Sequence, residues 1–509
     1  MVFTSAQAER TALGEPIYIA PPARRQRRVG LRTNINDLPD ELLVLMIEAL
    51  DNLTEGKPMV HALTLVNRRF NRLSVPFLYS WFAITYEDDM QIFAKFLHTT
   101  LDAPQLVCFT KSIFWQREEE RLHLSDTSSL HLSDISKAID FVHTLKVPFT
   151  QQWVRDILHG CGDALLAVQI CLMPQLVEFH AESEFLSAGK RLPAYLRHLL
   201  HVARGLPFSS GHSFKHLSHV RIPYCSLRPC DISAIFNLHS LETLFLAGDE
   251  SREDDFQKAC LAWSKDKDAW ECAAHSSTIK RLGLSGALPA EAVGAMIKSC
   301  SSLLNFYFCG DIWLSKESGW YRVVDAALRS QSGSLERLSF DAMMLGRNPP
   351  QANSIAGHFS QLASFPVLDT YAGILAMILS PADVARPNQL LNLVKTLPPT
   401  IKHLMLEVSP DWDPCLLLDP EDKSLHKALP QIKRLYIRYP MLTLDNIPYK
   451  LLDLANFFID SPIQFSFILD FRYKRMNLRP QGAELAERAD YGFDDEAADW
   501  PDSYGWDHD

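Results

Sequence analysis

Between Leu38 and Trp81 the apolar positions recur at helical spacing. Asp37 stands ready as N-cap for a helix opening at Leu38, and Pro39 is tolerated in the first turn, where no intrahelical N–H is needed. At 100° per residue, Leu38, Leu42, Leu45, Met46, Ala49 and Leu50 share one face, and Leu43 and Ile47 widen it sideways. The apolar arc is roughly twice the ~100° that a surface helix needs, so the pattern predicts burial on two sides and a second apolar partner. A second helix carries Met59, Ala62, Leu63, Val66, Phe70 and Leu73 as one stripe, opposite His61, Arg68 and Arg72. Ser74-Val75-Pro76 is predicted to end it, and Pro76 to start a third helix with Phe77, Leu78 and Trp81.

Further along, the period shortens. Ala83 to Tyr86 reads as a first strand, Met90 to Leu97 as a helix, and PQLVCFTKSIFW as a passage from helix to strand. A repeat then emerges, weakly in PQLVEFHAE (174–182) and KHLSHVRIP (215–223). It is clear in SLETLFLAG, TIKRLGLSG, SLLNFYFCG, SLERLSFDA, TIKHLMLEV and QIKRLYIRY. Each copy fits apolar-x-x-apolar-x-apolar, beginning at Leu241, Ile279, Leu303, Leu335, Ile401 and Ile432. The copies are roughly 24 to 38 residues apart, with one double gap that SFPVLDTYAGIL fills. Helical patterns such as AEAVGAMIKSC and YRVVDAALRSQ lie between them. A strand plus a helix cannot bury both its faces alone, so neighbours must stack, and residues from about 100 to 480 are predicted to form a curved βα array with short, largely parallel strands. An ordinary α/β sheet is the competing architecture.

The strand period of two turns the residues between the apolar positions outward. Phe245, Tyr307, Met405 and Tyr436 then line the concave face, with Arg281, Arg337, Arg434 and Arg438 among them. Aromatics and arginines dominate binding hot spots, so these eight are the candidate target-binding residues. The alternative is that inserted loops or the acidic C-terminal tail cover this face.

About 45 residues are too few for a robust core, and from periodicity alone the first helices are as well read as a cap on the following domain. LPDELLVLMIEAL followed by ALTLVNRRFNRLSVPFLYSW, however, resembles the F-box of fungal F-box proteins. The matching positions are Leu38, Pro39, Glu41, Leu42, Ile47 and Leu50, then Leu63, Val66, Asn67, Arg68, Phe70, Leu73, Leu78 and Trp81. Asn67 departs from the small residue or Cys common there, and DNLTEGKP is an insertion between the first two helices. The resemblance implies docking onto a Skp-type adaptor of a cullin–RING (SCF-type) ubiquitin ligase. Leu38, Pro39, Leu42, Leu43, Ile47, Leu50, Leu63, Val66 and Phe70 are its implied contacts. The copies lack Asn or Cys at a fixed ladder position and are similar to the degenerate leucine-rich repeats found behind many fungal F-boxes. The expected fold is therefore α/β: a three-helix F-box-like unit followed by a leucine-rich-repeat-like solenoid.

Composition then sets the boundaries. At 509 residues the chain exceeds one ordinary domain. The expected order is a disordered arm (1–34), the F-box-like unit (35–82), the solenoid (83–480) and an acidic disordered tail (481–509) with Trp500 and Trp506 interspersed. The net charge of −11 disfavours nucleic-acid binding, and no run approaches the ~20 apolar residues of a membrane span. With no secretory signal and ten cysteines lacking any CxxC pair, a cytoplasmic or nuclear location with reduced thiols is expected. Arg24, Arg25, Arg27 and Arg28 form a candidate import signal or a solvated basic cluster. Residues 249–270 are strongly charged and predict an exposed loop with a helix, and the turn-rich 346–357 predicts a mobile loop.

Catalytic motifs are not found. There is no phosphate-cradling GxxxxGK[ST] or GxGxxG, no HExxH and no GxSxG. Gly283-Leu284-Ser285-Gly286 is one residue short of the last and reads as a repeat turn. His212, His216 and His219, with Cys225 and Cys230, are the best metal candidate, outweighed by their place in a repeat-like strand and its flank. No metal, cofactor or catalysis is expected. The readings left standing are a target-recognition subunit of a ligase, a scaffold without ligase coupling, and an enzyme with no motif in its favour.

Overall fold

The computed structural model describes residues 35–478, apart from 54–55, 86–89, 117–131, 183–191, 207–213, 225–226, 249–262, 264–268, 287, 311–318, 342–358, 360–361, 380–388, 409–429, 442–457, 459–462 and 472–473. The arm (1–34), the tail (481–509) and the loop at 346–357 lie outside the described residues. The chain divides into two compact units between Leu78 and Tyr79, each with its own hydrophobic core.

The first unit holds α1 (Asp40–Asp51), α2 (Gly56–Thr64) and α3 (Arg68–Leu78). Three details differ from the sequence expectation. Helix α1 starts at Asp40 with Pro39 as N-cap, two residues after Leu38. The stripe read as one second helix is two helices, because the Asn67 side-chain oxygen accepts the backbone N–H groups of Arg69 and Phe70, 2.9 Å each, and caps a new one. Pro76 lies inside α3 and starts nothing, while Trp81 belongs to the first strand of the second unit.

The second unit is α/β. Among its described residues, strands β1 (Trp81–Ile84), β2 (Ser112–Gln116), β3 (Glu178–Glu182), β4 (His219–Pro223), β5 (Thr243–Ala247), β6 (Arg281–Ser285), β7 (Asn305–Cys309), β8 (Arg337–Asp341), β9 (Thr370–Ile374), β10 (His403–Glu407), β11 (Arg434–Met441), β12 (Gln464–Phe471) and β13 (Lys474–Leu478) form one sheet. Strand order equals chain order; β1 to β12 are parallel, and β13 returns antiparallel to β12. Strand β9 fills the double gap in the repeat.

Phe82, Ile113, Phe179, Val220, Leu244, Leu282, Phe306, Leu338, Tyr371, Leu404, Leu435 and Phe465 are successive register partners from β1 to β12. All are buried, with the helices' apolar side chains, in a single core. The pairing sets the middle apolar position of every frame against its counterpart, so the array is one continuous ladder.

A second ladder was present in the sequence and missed. The hydroxyl residue that opens a copy donates into the preceding copy: Thr278 to the Leu241 carbonyl (2.8 Å), Ser334 to that of Leu303 (3.0 Å), Thr400 to that of Leu368 (2.7 Å). Three copies also end in Gly248, Gly286 or Gly310, each donating its N–H to the next strand's last carbonyl. Gly286 has φ +99°, and a Cβ at Gly248 would lie 2.5 Å from the Tyr224 hydroxyl, so side chains are excluded at both. Of the segment 249–270, residues 249–262 and 264–268 lie outside the described residues. Trp263 is buried against Trp270, which meets Phe236 edge to face at 5.3 Å and donates to the Ser299 hydroxyl at 3.0 Å.

Candidate functional site

Two surfaces carry the side chains the sequence singled out. On the helical unit, α1 presents two apolar faces. Leu43 and Ile47 are 0% and 1% exposed and close a small core with Val60, Phe70 and Leu73. Leu43, Ile47 and Phe70, expected to meet an adaptor, are instead covered by their own bundle. Leu42, 47% exposed, shares the outward stripe with Leu45 and Met46, and Leu53, just past the helix end, is exposed as well. Met59, Leu65 and Val66, around the end of α2, are also exposed. Of the remaining implied contacts, Pro39 is exposed and Leu38, Leu50 and Leu63 are half-buried.

Polar contacts fix this unit from the side. Asp40 accepts from Arg69 at 2.6 Å and from Arg72 at 2.5 Å, and Arg69 also donates to the carbonyls of Asn36 and Leu38 at 2.6 Å. The Arg72 and Arg69 hydrogen bonds hold the Asp40 carboxyl below the usual carboxylate range. Lys57 donates to the Phe77 carbonyl at 2.6 Å and pairs with Asp51 at 2.9 Å. The exposed leucines thus sit on a helix anchored at its start.

The second surface is the sheet face turned away from the helical core. All eight candidate target residues lie on it: Arg281, Arg337 and Arg434 in the first register row, Phe245, Tyr307, Met405 and Tyr436 in the third, Arg438 in the fifth. Alternation places them there, but their openness differs. Phe245 and Tyr436 are only 3% and 7% exposed, and Tyr307 and Met405 are half-buried. The Arg221 guanidinium lies 4.3 Å over the Phe245 ring, and Tyr307 stacks on it at 6.0 Å. Phe245 and Tyr436 are therefore not the open anchors that alternation suggested. Arg438 is bound in place, 2.7 Å from Asp341 at the end of β8 and 3.6 Å from Glu407 on the neighbouring β10.

The first row stays more open. Arg337 is exposed, and Arg281, His403 and Arg434 are half-buried. Burial, then the nearby Arg434 charge, holds the His403 imidazole below its ordinary pKa, with Lys433 and Arg337 adding to the push and Asp369 opposing it. Lys280 pairs with Glu242 at 2.9 Å and lowers that carboxyl, while Lys402 pairs with Asp369 at 3.2 Å. Basic charge gathers along the strand starts.

The chemistry proposed for other residues is rearranged. The expected repeat turn is mostly strand: Gly283, Leu284 and Ser285 are the end of β6, Ser285 in register with Ala247 and Cys309, and only Gly286 lies at the bend that follows. Of the metal candidate, His212 and Cys225 lie outside the described residues, His219 opens β4, His216 is exposed and Cys230 sits on the short helix Pro229–Ile235. A different cluster joins two helices: His98 Nδ1 is 2.8 Å from Asp134 and Nε2 3.6 Å from Asp102, whose other oxygen accepts from Lys137. The Asp134 hydrogen bond raises the His98 pKa, and the Lys137 ammonium makes this an ion-pair clasp.

No helix among the described residues is long and apolar enough to cross a membrane. Compared with known proteins, the chain matches no family model and no curated protein.

Proposed function

We propose that the chain is the target-recognition subunit of a cullin–RING ubiquitin ligase of the SCF type. In this reading the helical unit is an F-box that docks a Skp-type adaptor, and the parallel array is a leucine-rich-repeat-like solenoid whose free face holds a target protein. The chain itself performs no chemistry. Ubiquitin transfer takes place at the RING partner, and this chain supplies proximity.

The observation that carries the reading is the outward stripe of α1. Leu42, Leu45 and Met46 stay exposed although the bundle's own core is closed. About half of each side chain is still open to water, so covering it is worth roughly half of the ~1.5–3 kcal/mol of a full burial, a contribution toward the ~4–15 kcal/mol cost of association that the rest of the interface must complete. The resemblance of LPDELLVLMIEAL to an F-box supplies the identity of that partner.

Size-exclusion chromatography of the chain co-expressed with a Skp-type adaptor tests it. The expected result is one complex, abolished by Leu42→Asp combined with Met46→Asp without a change in melting temperature. Absence of a wild-type complex would sink the ligase reading and leave a non-catalytic interaction scaffold in its place.

A further inference from the structure

The acidic C-terminal segment and the basic sheet edge are matched in charge, reach and direction. Arg281, Arg337 and Arg434 stand in one register row on β6, β8 and β11. With strands ~4.8 Å apart, they span about 24 Å. Among the described residues no hydrogen bond or ion pair holds the guanidinium of Arg281 or Arg337. In the same row the His403 imidazole is held below its ordinary pKa first by burial and then by the Arg434 charge. This edge belongs to a chain of net charge −11, most of which resides in residues 480–509, where ten acidic residues face a single arginine, Arg488.

The last described strand runs toward the row. Strands β1 to β12 all run one way, and β13 alone runs back toward their starts. Leu478 pairs with Phe467, only three residues along β12 from Gln464, which is the register partner of Arg434. At ~3.3 Å per residue, the following 30 residues reach about 100 Å, several times the length of the row. Trp500 and Trp506 add rings suited to stacking on guanidinium groups.

We propose that residues 480–509 occupy the row Arg281–Arg337–Arg434 of their own chain, as an intramolecular acidic ligand that an acidic partner must displace. The contact stands on charge and topology. Its role as a competitor for the target rests on the reading given above.

Zero-length carboxyl–amine coupling of the full chain, followed by peptide mass spectrometry, tests the contact. Lys280, Lys402 and Lys433 each precede a residue of the basic row by one position. Adducts from the carboxylates of 484–509 are expected to concentrate on these three. They should fall about fivefold or more in Arg337→Gln/Arg434→Gln, which removes one exposed and one half-buried charge from the row. The same loss is expected at about 0.5 M salt, where the Debye length is only ~4 Å. Should the double variant fold poorly, Asp494→Asn/Asp495→Asn/Glu496→Gln/Asp499→Asn, read at the carboxylates left unchanged (Asp502, Asp507 and Asp509), must give the same loss. Adducts spread evenly over Lys95, Lys137 and Lys298, or found only in covalent dimers, overturn the proposal. A synthetic 480–509 peptide that blocks cross-linking yet leaves target capture unchanged would retain the contact and reject its competitive role.

Discussion

The helical unit and the sheet unit answer the same need, covering apolar side chains, in opposite ways. In the sheet each strand hands its buried row to the next, so Leu338 lies between Phe306 and Tyr371, and every copy but the first and last is covered on both sides. The helical unit is no such stack: it is three short helices. Its core is Leu43, Ile47, Val60, Phe70 and Leu73, and the rest of α1's apolar arc stays open at Leu42, Leu45 and Met46. A repeat satisfies its apolar positions through stacking, whereas three short helices leave a surplus. The surplus marks where an outside partner is expected, and in the sheet the corresponding opening is polar.

The largest test of this contrast is Leu338→Asp. A charge in the middle of the ladder has no partner and should cost well over ~4 kcal/mol, removing the cooperative transition of the sheet unit in thermal unfolding followed by circular dichroism. Loss of only a local segment would show that the array is not one continuous ladder.

Next in size is a pair on α1. Leu43→Ala should destabilise the helical unit by about 2–5 kcal/mol, while Leu42→Ala, one residue away, should change it by less than ~0.5 kcal/mol. Hydrogen exchange of α1–α3 amides reads both, and equal effects would break the division of α1 into a closed and an open face.

The hydroxyl ladder predicts a smaller cost. Thr278→Val keeps the shape but removes the bond to the Leu241 carbonyl, a loss of about 1 kcal/mol in denaturant unfolding. An unchanged midpoint would mean that the hydroxyl adds nothing to copy-to-copy stacking.

Smallest is the pH effect at the His98 clasp. The folded pKa is raised, so the stabilisation is fully present below the imidazole's ordinary pKa of about 6.5 and is lost as pH rises through the raised value. Exchange protection in α4 (Met90–Asp102) should therefore fall between mildly acidic and mildly alkaline pH. His98→Gln should abolish that dependence; a variant that retains it would assign the effect to another group.

The sequence by itself determined the sheet rows. The frames beginning at Leu241, Ile279, Leu303, Leu335, Ile401 and Ile432 named in advance the residues that stack, and the segment around Phe365 to Leu375 filled the missing copy. The physical reason is that strand geometry has a period of two and its register is enforced by a buried face. Once the apolar positions are fixed, so is the side on which Arg281, Tyr307 or Arg434 must lie. Even the hydroxyl ladder was legible, as the Ser or Thr opening most copies, had a donor rather than an Asn been sought.

Only the tertiary structure decided three other matters. Periodicity drew α1's wide apolar arc, but which half faced inward depended on Val60, Phe70 and Leu73 from other helices, and they covered Leu43 and Ile47. Apolar spacing ran unbroken through Leu63, Val66 and Phe70, yet the chain breaks where Asn67 offers its side chain to two amide groups, a local hydrogen-bonding choice that hydropathy does not record. Alternation put Phe245, Tyr436 and Arg337 on the same face, but openness there depends on neighbours. The Arg221 guanidinium lies over Phe245, while Arg337 stays exposed at the strand starts. A pattern along one chain fixes direction, and exposure is a property of what arrives from elsewhere.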